Sequence, residues 1–234
     1  MDRVQVRRSK EPPCISCGEI TPKYDNVNYA SNEKGCRQLF SQCFNAEAAK
    51  SDGLDKFEHV RFDPVELADC TDEVHVFHFR TRLFGPGVAL DAFELRDGHP
   101  AGYQFQVIGD PEDDLLALLG RLIDKIRRAL SIIHIGDGKF GLQIADHRVV
   151  RGMVGWDAAE DGRVPLLTID GREITWEELG HMLMTYEGWQ FKLEILDKSL
   201  TDQWDVPKES QSRIFNSLTG SAVNHRVQAM SGAN

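Results

Sequence analysis

Val74-His-Val-Phe-His-Phe-Arg-Thr-Arg-Leu-Phe84 is the stretch on which the fold turns. In an extended chain successive side chains point to opposite faces. His75, Phe77, Phe79, Thr81 and Leu83 therefore share one face, and His78, Arg80 and Arg82 share the other. Residues 88–95 and 103–108 continue the alternation, and Gly85-Pro86-Gly87 and Asp97-Gly98-His99-Pro100 between them read as turns. The pattern predicts an antiparallel meander of about three strands.

A helix is expected to follow. Asp110-Pro111-Glu112-Asp113 offers an N-cap, a proline suited to the first helical position and acids at the positive end of the dipole. Leu115, Leu118, Leu119, Leu122, Ile126, Leu130 and Ile133 recur at spacings of three and four, with Arg121, Asp124, Lys125 and Arg128 on the opposite side. The second half repeats the arrangement with different residues: strands at 142–145, 149–156 and 164–169, then a helix opened by the capping box Thr175-Trp176-Glu177-Glu178. That helix is expected to run to Tyr186 and stop at Gly188, with a last strand over 189–196. The expected class is α+β: two antiparallel β-meander segments, each followed by a helix, behind a small N-terminal module. The boundaries are a basic arm at 1–11, a zinc-ribbon-like module at 12–53, the α+β domain at 54–198 and a polar tail at 199–234, expected to be disordered.

The module carries the clearest chemical motif. Cys14-Ile15-Ser16-Cys17-Gly18 aims two thiolates at one ion from a tight turn, and glycine permits the backbone conformation this needs. Cys36 and Cys43 are the candidates for the other two ligands. Six residues separate them, and Phe40 occupies the position where a second knuckle would place its cysteine. The set reads either as an atypical four-cysteine zinc site or as a ribbon that has lost a ligand. Any metal held there would be structural, because the stretch offers no acid or base to activate water. Cys70 has no partner at ligand spacing and reads as a free thiol, and His59 sits among Phe57, Val60 and Phe62 as part of a packed edge.

Composition narrows the classes. A hydrophobic fraction of 41% is ordinary for a globular chain, and no apolar run is long enough to span a bilayer or to serve as a signal core. An odd cysteine count of 5, concentrated in one segment, argues against a secreted disulfide framework, so a cytoplasmic protein without membrane association is expected. A net charge of −10 disfavours a general nucleic-acid coat. Arg3, Arg7, Arg8 and Lys10 form a basic arm that leaves nucleic acid open as a partner.

Away from the cysteines, the polar face of the first meander is the place for a ligand. His78, Arg80, Arg82, Gln104 and Gln106 would project together, with Glu94 and Arg96 alongside, and could hold a carboxylate, a phosphate or a peptide edge. The same residues could form a solvated face of cross-strand pairs. No serine elbow, phosphate loop or zinc-protease helix occurs. Asp146-His147 would meet only in a turn. The favoured function is a non-catalytic binding or adaptor protein that engages a protein partner through the cysteine module or the polar face. The alternatives are an enzyme acting on an anionic substrate at His78, Arg80 and Arg82, and a nucleic-acid-binding regulator.

Several stretches together resemble an uncharacterised bacterial domain family: residues 77–83, 102–113, 141–146 and 170–178, with Gly188-Trp-Gln-Phe191. The resemblance covers roughly residues 12–197. It implies an α+β domain behind a short zinc-ribbon-like segment and supplies no activity. Members of that family tend to carry Cys-x2-Cys in the second knuckle, so Phe40 is a departure.

Overall fold

The alternating strands pair as their pattern demands. The computed structural model describes residues 13–31, 35–85, 87–139 and 141–197, so the basic arm and the polar tail lie outside the described residues. Elements run β1 (Asn26–Ser31), β2 (Gly35–Phe40), α1 (Ser41–Asp52), β3 (Val65–Ala68), β4 (Val74–Phe84), β5 (Gly87–Arg96), β6 (His99–Gly109) and α2 (Leu115–Leu130). After them come β7 (Ile135–Gly138), β8 (Gly141–Ile144), β9 (Met153–Trp156), β10 (Pro165–Ile169), β11 (Arg172–Ile174) and α3 (Trp176–Met184). The class is α+β, as expected.

The central sheet is antiparallel with strand order β3-β4-β5-β6. Phe79 stands opposite Ala92 and Ala92 opposite Phe105, while Thr81, Leu90 and Val107 line up beside them. These residues are buried, and Leu118, Leu122, Ile126 and Leu130 of α2 are buried with them. The hairpin between β5 and β6 turns at Asp97 (φ 54°) and Gly98 (φ 79°), two successive positive φ values of the kind that match a turn to the twist of its strands. β10 and β11 turn the same way at Asp170 (φ 50°) and Gly171 (φ 69°).

On both sides of this sheet, side chains meet backbone groups that no strand pairs with. Beyond its short pairing with β3, β4 would leave backbone groups bare, and Asn45 of α1 occupies them. Its Nδ2 donates to Thr81 O (2.8 Å), and its Oδ1 accepts from Leu83 N (2.8 Å). The asparagine imitates a neighbouring strand and ties the cysteine module to the sheet. Its Nδ2 also meets His59 Nδ1 (2.8 Å), so that ring nitrogen is the acceptor and the imidazole is neutral. On the far edge, α2 supplies Lys125 Nζ to Gln106 O (3.0 Å) and Arg121 Nη2 to Ile108 O (3.3 Å).

Four expectations are corrected. Lys125 was assigned to the solvent side of α2, yet it is buried, because the bare edge of β6 needs a donor there; burial, helped by the Arg128 charge, lowers its amine to about 8. The helix opens at Asp114, whose Oδ1 accepts from Leu116 N (2.9 Å). Asp110 instead folds a separate turn by accepting from Glu112 N (2.9 Å). The second meander divides into a β7–β8 hairpin and a β9-β10-β11 sheet, and β1, β2, β3, β7 and β11 are strands that the pattern did not announce. Residues 189–196 form no strand, because no edge in the described residues pairs with them. The capping box of α3 is present as read: Thr175 Oγ1 accepts from Glu178 N, and Glu178 Oε2 accepts from Thr175 N (2.8 Å).

Asn45→Ala strands Thr81 O and Leu83 N without partners, and a loss of about 2 to 4 kcal/mol is expected in urea unfolding. His59 adds a pH signature. Burial, and then Arg61, lowers its folded value to about 4, below the ordinary 6.5. Its contribution is complete above pH 6.5 and is lost as pH falls through 4. Stability curves of the parent and His59→Gln should differ in slope between pH 6.5 and 4 and run parallel above that window.

Candidate functional site: cysteine cluster and sheet face

The turn at Cys14 is built by the backbone. Gly18 N donates to Cys14 O (2.8 Å), Cys14 N donates to Glu19 O (2.9 Å), and Gly18 takes φ 76° to close the knuckle. Cys43 comes from the first turn of α1, and the ligand atoms of Cys14, Cys17 and Cys43 lie within 4.8 Å of one another. Three cysteines that could hold a metal ion are thus brought together from two elements. Cys14 is buried with Leu39 and Phe40, and Phe40 N points at its sulfur (3.4 Å). Burial acts to raise the Cys14 thiol, but the amides of Phe40, Cys17 and Ser16 prevail and bring it down to about 7. Burial and the other two sulfurs push Cys43 up to about 12. A thiolate gathered so close to two others is costly until a cation joins them.

Cys36 lies on β2 opposite Ala30, and its side chain is outside the described residues. Phe40 follows it four positions along the strand, so its backbone stands about 13 Å along β2 from the amide that meets Cys14. His59 is engaged by Asn45, and Cys70 is a free, exposed cysteine.

The polar sheet face has an internal anion at its centre. Asp91, buried on β5, accepts from Arg82 Nε (2.9 Å), Arg80 Nη2 (3.3 Å) and Gln106 Nε2 (2.7 Å). Arg80 also donates Nη1 to Tyr24 O (2.9 Å) and lies over the Phe93 ring. Tyr24 covers His78 with ring centroids 5.3 Å apart, and burial lowers the His78 imidazole. His78, Arg80, Arg82 and Gln106 thus sit on one face as expected, but both arginine forks point at a carboxylate of the protein itself, and Gln104 is exposed at the margin. The cavity that Arg80 lines with Tyr24, Asp25 and His59 measures about 30 Å³, enough for one or two waters. Asp91 was absent from the sequence reading. Its register opposite Arg80 and Gln106 was the signal that could have found it.

A larger space, of about 640 Å³, opens where the end of the central sheet meets the β10–β11 turn, lined by Asp69, Glu73, His75, Glu94 and Asp170 among others. Of these the sequence reading placed only Glu94 near a site. His75 counted as a member of the apolar face, which it is by parity, although it occupies the end where that face gives out.

Residues 58–131 match a domain of unknown function, DUF7686, and residues 134–200 match another, DUF7713. The first match takes in the central sheet and α2. The second takes in the β7–β8 hairpin, the three-stranded sheet and α3, and neither includes the cysteine module. No curated protein and no solved structure matches the chain. Among the described residues no helix is long and apolar enough to cross a membrane.

Asp91→Ala leaves two arginines facing each other without their anion. A loss of about 2 to 3 kcal/mol is expected, less than for a fully buried pair because Arg82 keeps partial access to water. Chemical denaturation checks it, and restoration in Asp91→Glu would identify charge as the cause.

Proposed function

We propose that this is a cytoplasmic, non-catalytic binding protein that docks by adding residues 189–196 as a strand to an open sheet edge of a protein partner. One observation carries the reading. Trp189, Phe191, Leu193 and Ile195 alternate with Gln190, Lys192 and Glu194, the pattern of a half-buried strand, while Phe191 is 88% exposed and Leu193 and Ile195 are 75% exposed. The polar side is already composed, with Lys192 Nζ 3.1 Å from Glu194 Oε2. The start of the segment is anchored: Arg148 lies 5.0 Å over the Trp189 ring, and Tyr186 packs against its edge. An anchored segment with one apolar side and no strand neighbour among the described residues is the form in which β-augmentation partners are recognised. The partner chemistry follows as an unpaired strand bordering an apolar sheet face.

The cysteine cluster supports that role as a structural zinc site held by Cys14, Cys17 and Cys43; Cys36, the fourth cysteine the sequence offers, joins them only if β2 shifts along the module. Thiolate donors and the absence of a neighbouring base suit zinc as a fold-stabilising ion.

A photo-crosslinker at position 191 of the full chain tests the docking reading. The expected result is one protein partner whose purified form binds the parent and loses at least tenfold in affinity to Leu193→Asp. Only self-crosslinks, or none, would remove the adaptor reading. For the metal, elemental analysis should find one zinc per chain, absent in Cys17→Ser and Cys43→Ser. Cys36→Ser then reports whether β2 supplies the fourth ligand.

A further inference from the structure

We propose that Asp69, Glu73 and His75 form a binding site for a divalent first-row transition-metal ion, with Glu94 as a positioning residue behind His75 and the remaining coordination positions open to the 640 Å³ cleft. The three side chains come from the β3–β4 connection and the start of β4, and their ligand atoms lie within 4.8 Å of one another.

The site is organised on each of its members. One oxygen of Asp69, Oδ1, accepts from Thr71 N (2.7 Å), Thr71 Oγ1 (2.8 Å) and Glu73 N (2.9 Å). That fixes the carboxylate and leaves Oδ2 turned toward His75. On the far side of the ring, His75 Nδ1 lies 2.9 Å from Glu94 Oε1, and Glu94 Oε2 accepts from Tyr103 N (2.7 Å). A carboxylate only accepts, so Nδ1 carries the proton and Nε2 presents a lone pair. This is the arrangement in which a second carboxylate sets the tautomer of a metal-binding histidine.

The observation that points to a ligand is Nε2 itself. His75 is 8% exposed, and this nitrogen is buried without a hydrogen-bond partner. It stands 3.7 Å from Asp69 Oδ2. A protonated imidazole pairing with that oxygen would close to about 2.7 to 3.2 Å. Two donors bound to one ion at about 2.1 Å each, in tetrahedral geometry, stand about 3.4 Å apart, so the observed gap needs only a small closure. The Tyr103 hydroxyl, on a ring packed edge-on to His75, is likewise buried without a partner. Glu73 is exposed at the rim and free to swing its carboxylate onto the ion.

Two carboxylates and one imidazole make a harder donor set than the thiolates of the N-terminal module, so Mn²⁺ separates the two sites. Mn²⁺ added to the full-length protein should give one bound ion per chain by electron paramagnetic resonance, with one coupled histidine nitrogen in spin-echo spectra. Cys17→Ser should not alter it. Glu73→Gln changes an exposed side chain and should weaken binding at least tenfold while the circular dichroism stays that of the parent. His75→Gln should remove the nitrogen coupling, and Glu94→Gln should weaken binding 10- to 100-fold. The inference is overturned if neither Mn²⁺, nor Zn²⁺ added to Cys17→Ser, binds at millimolar concentration. It is equally overturned if binding is unchanged in Glu73→Gln or lacks the nitrogen coupling. Failure here leaves the strand-docking reading untouched, since the two share no residue.

Discussion

The edges of the central sheet are the constraint on which the rest of the molecule depends. A four-stranded sheet leaves two rows of backbone donors and acceptors, and among the described residues they are met by side chains rather than by further strands. Asn45 satisfies a carbonyl and an amide of β4, and Lys125 and Arg121 satisfy two carbonyls of β6. The first of these fixes α1 against the sheet. Because α1 carries Cys43, the same contact sets where the cysteine cluster forms.

Two arginines on an open polar face would be free to hold an anion from solution. Here both point at an internal counter-charge, Asp91, with Gln106 completing the set and Tyr24 O accepting from Arg80. The acid excess of the chain is thus partly structural. Elsewhere it is gathered at the cleft, where Asp69, Glu73 and Glu94 surround one imidazole. A carboxylate paired with arginine is satisfied; a fixed carboxylate beside an unpartnered ring nitrogen is not, and the difference separates a scaffold from a site.

The cysteine module and the C-terminal part have opposite deficits. The module's own buried cluster is Cys14, Leu39 and Phe40, with Cys43 and Phe44 packed beside it, too small a core to hold a chain segment in place by burial alone. A metal crosslink suits such a segment. The C-terminal part has a core of Ile135, Ile169, Ile174 and Met182, yet leaves Trp156, Met184, Phe191 and Leu193 in water.

What the sequence determined by itself was local. The alternation from Val74 to Phe84 dictated a strand and assigned its faces, Asp97-Gly98 dictated a hairpin, and Thr175 with Glu178 dictated a helix start, because each signal is complete within a few residues. The α+β class followed from adding such signals together, and so did the pairing of Cys14 with Cys17. Tertiary structure alone decided what depends on distant partners. Lys125 is buried because β6 ends the sheet, 189–196 stays unpaired because no strand meets it, and Asp110 yields the helix cap to Asp114 because a tighter turn captures it first. His75, Asp69 and Glu94 become one site only when β4 and β5 lie side by side. Side-chain periodicity is written in neighbouring residues, whereas burial, edge satisfaction and the meeting of charges depend on which surfaces the folded chain places against each other.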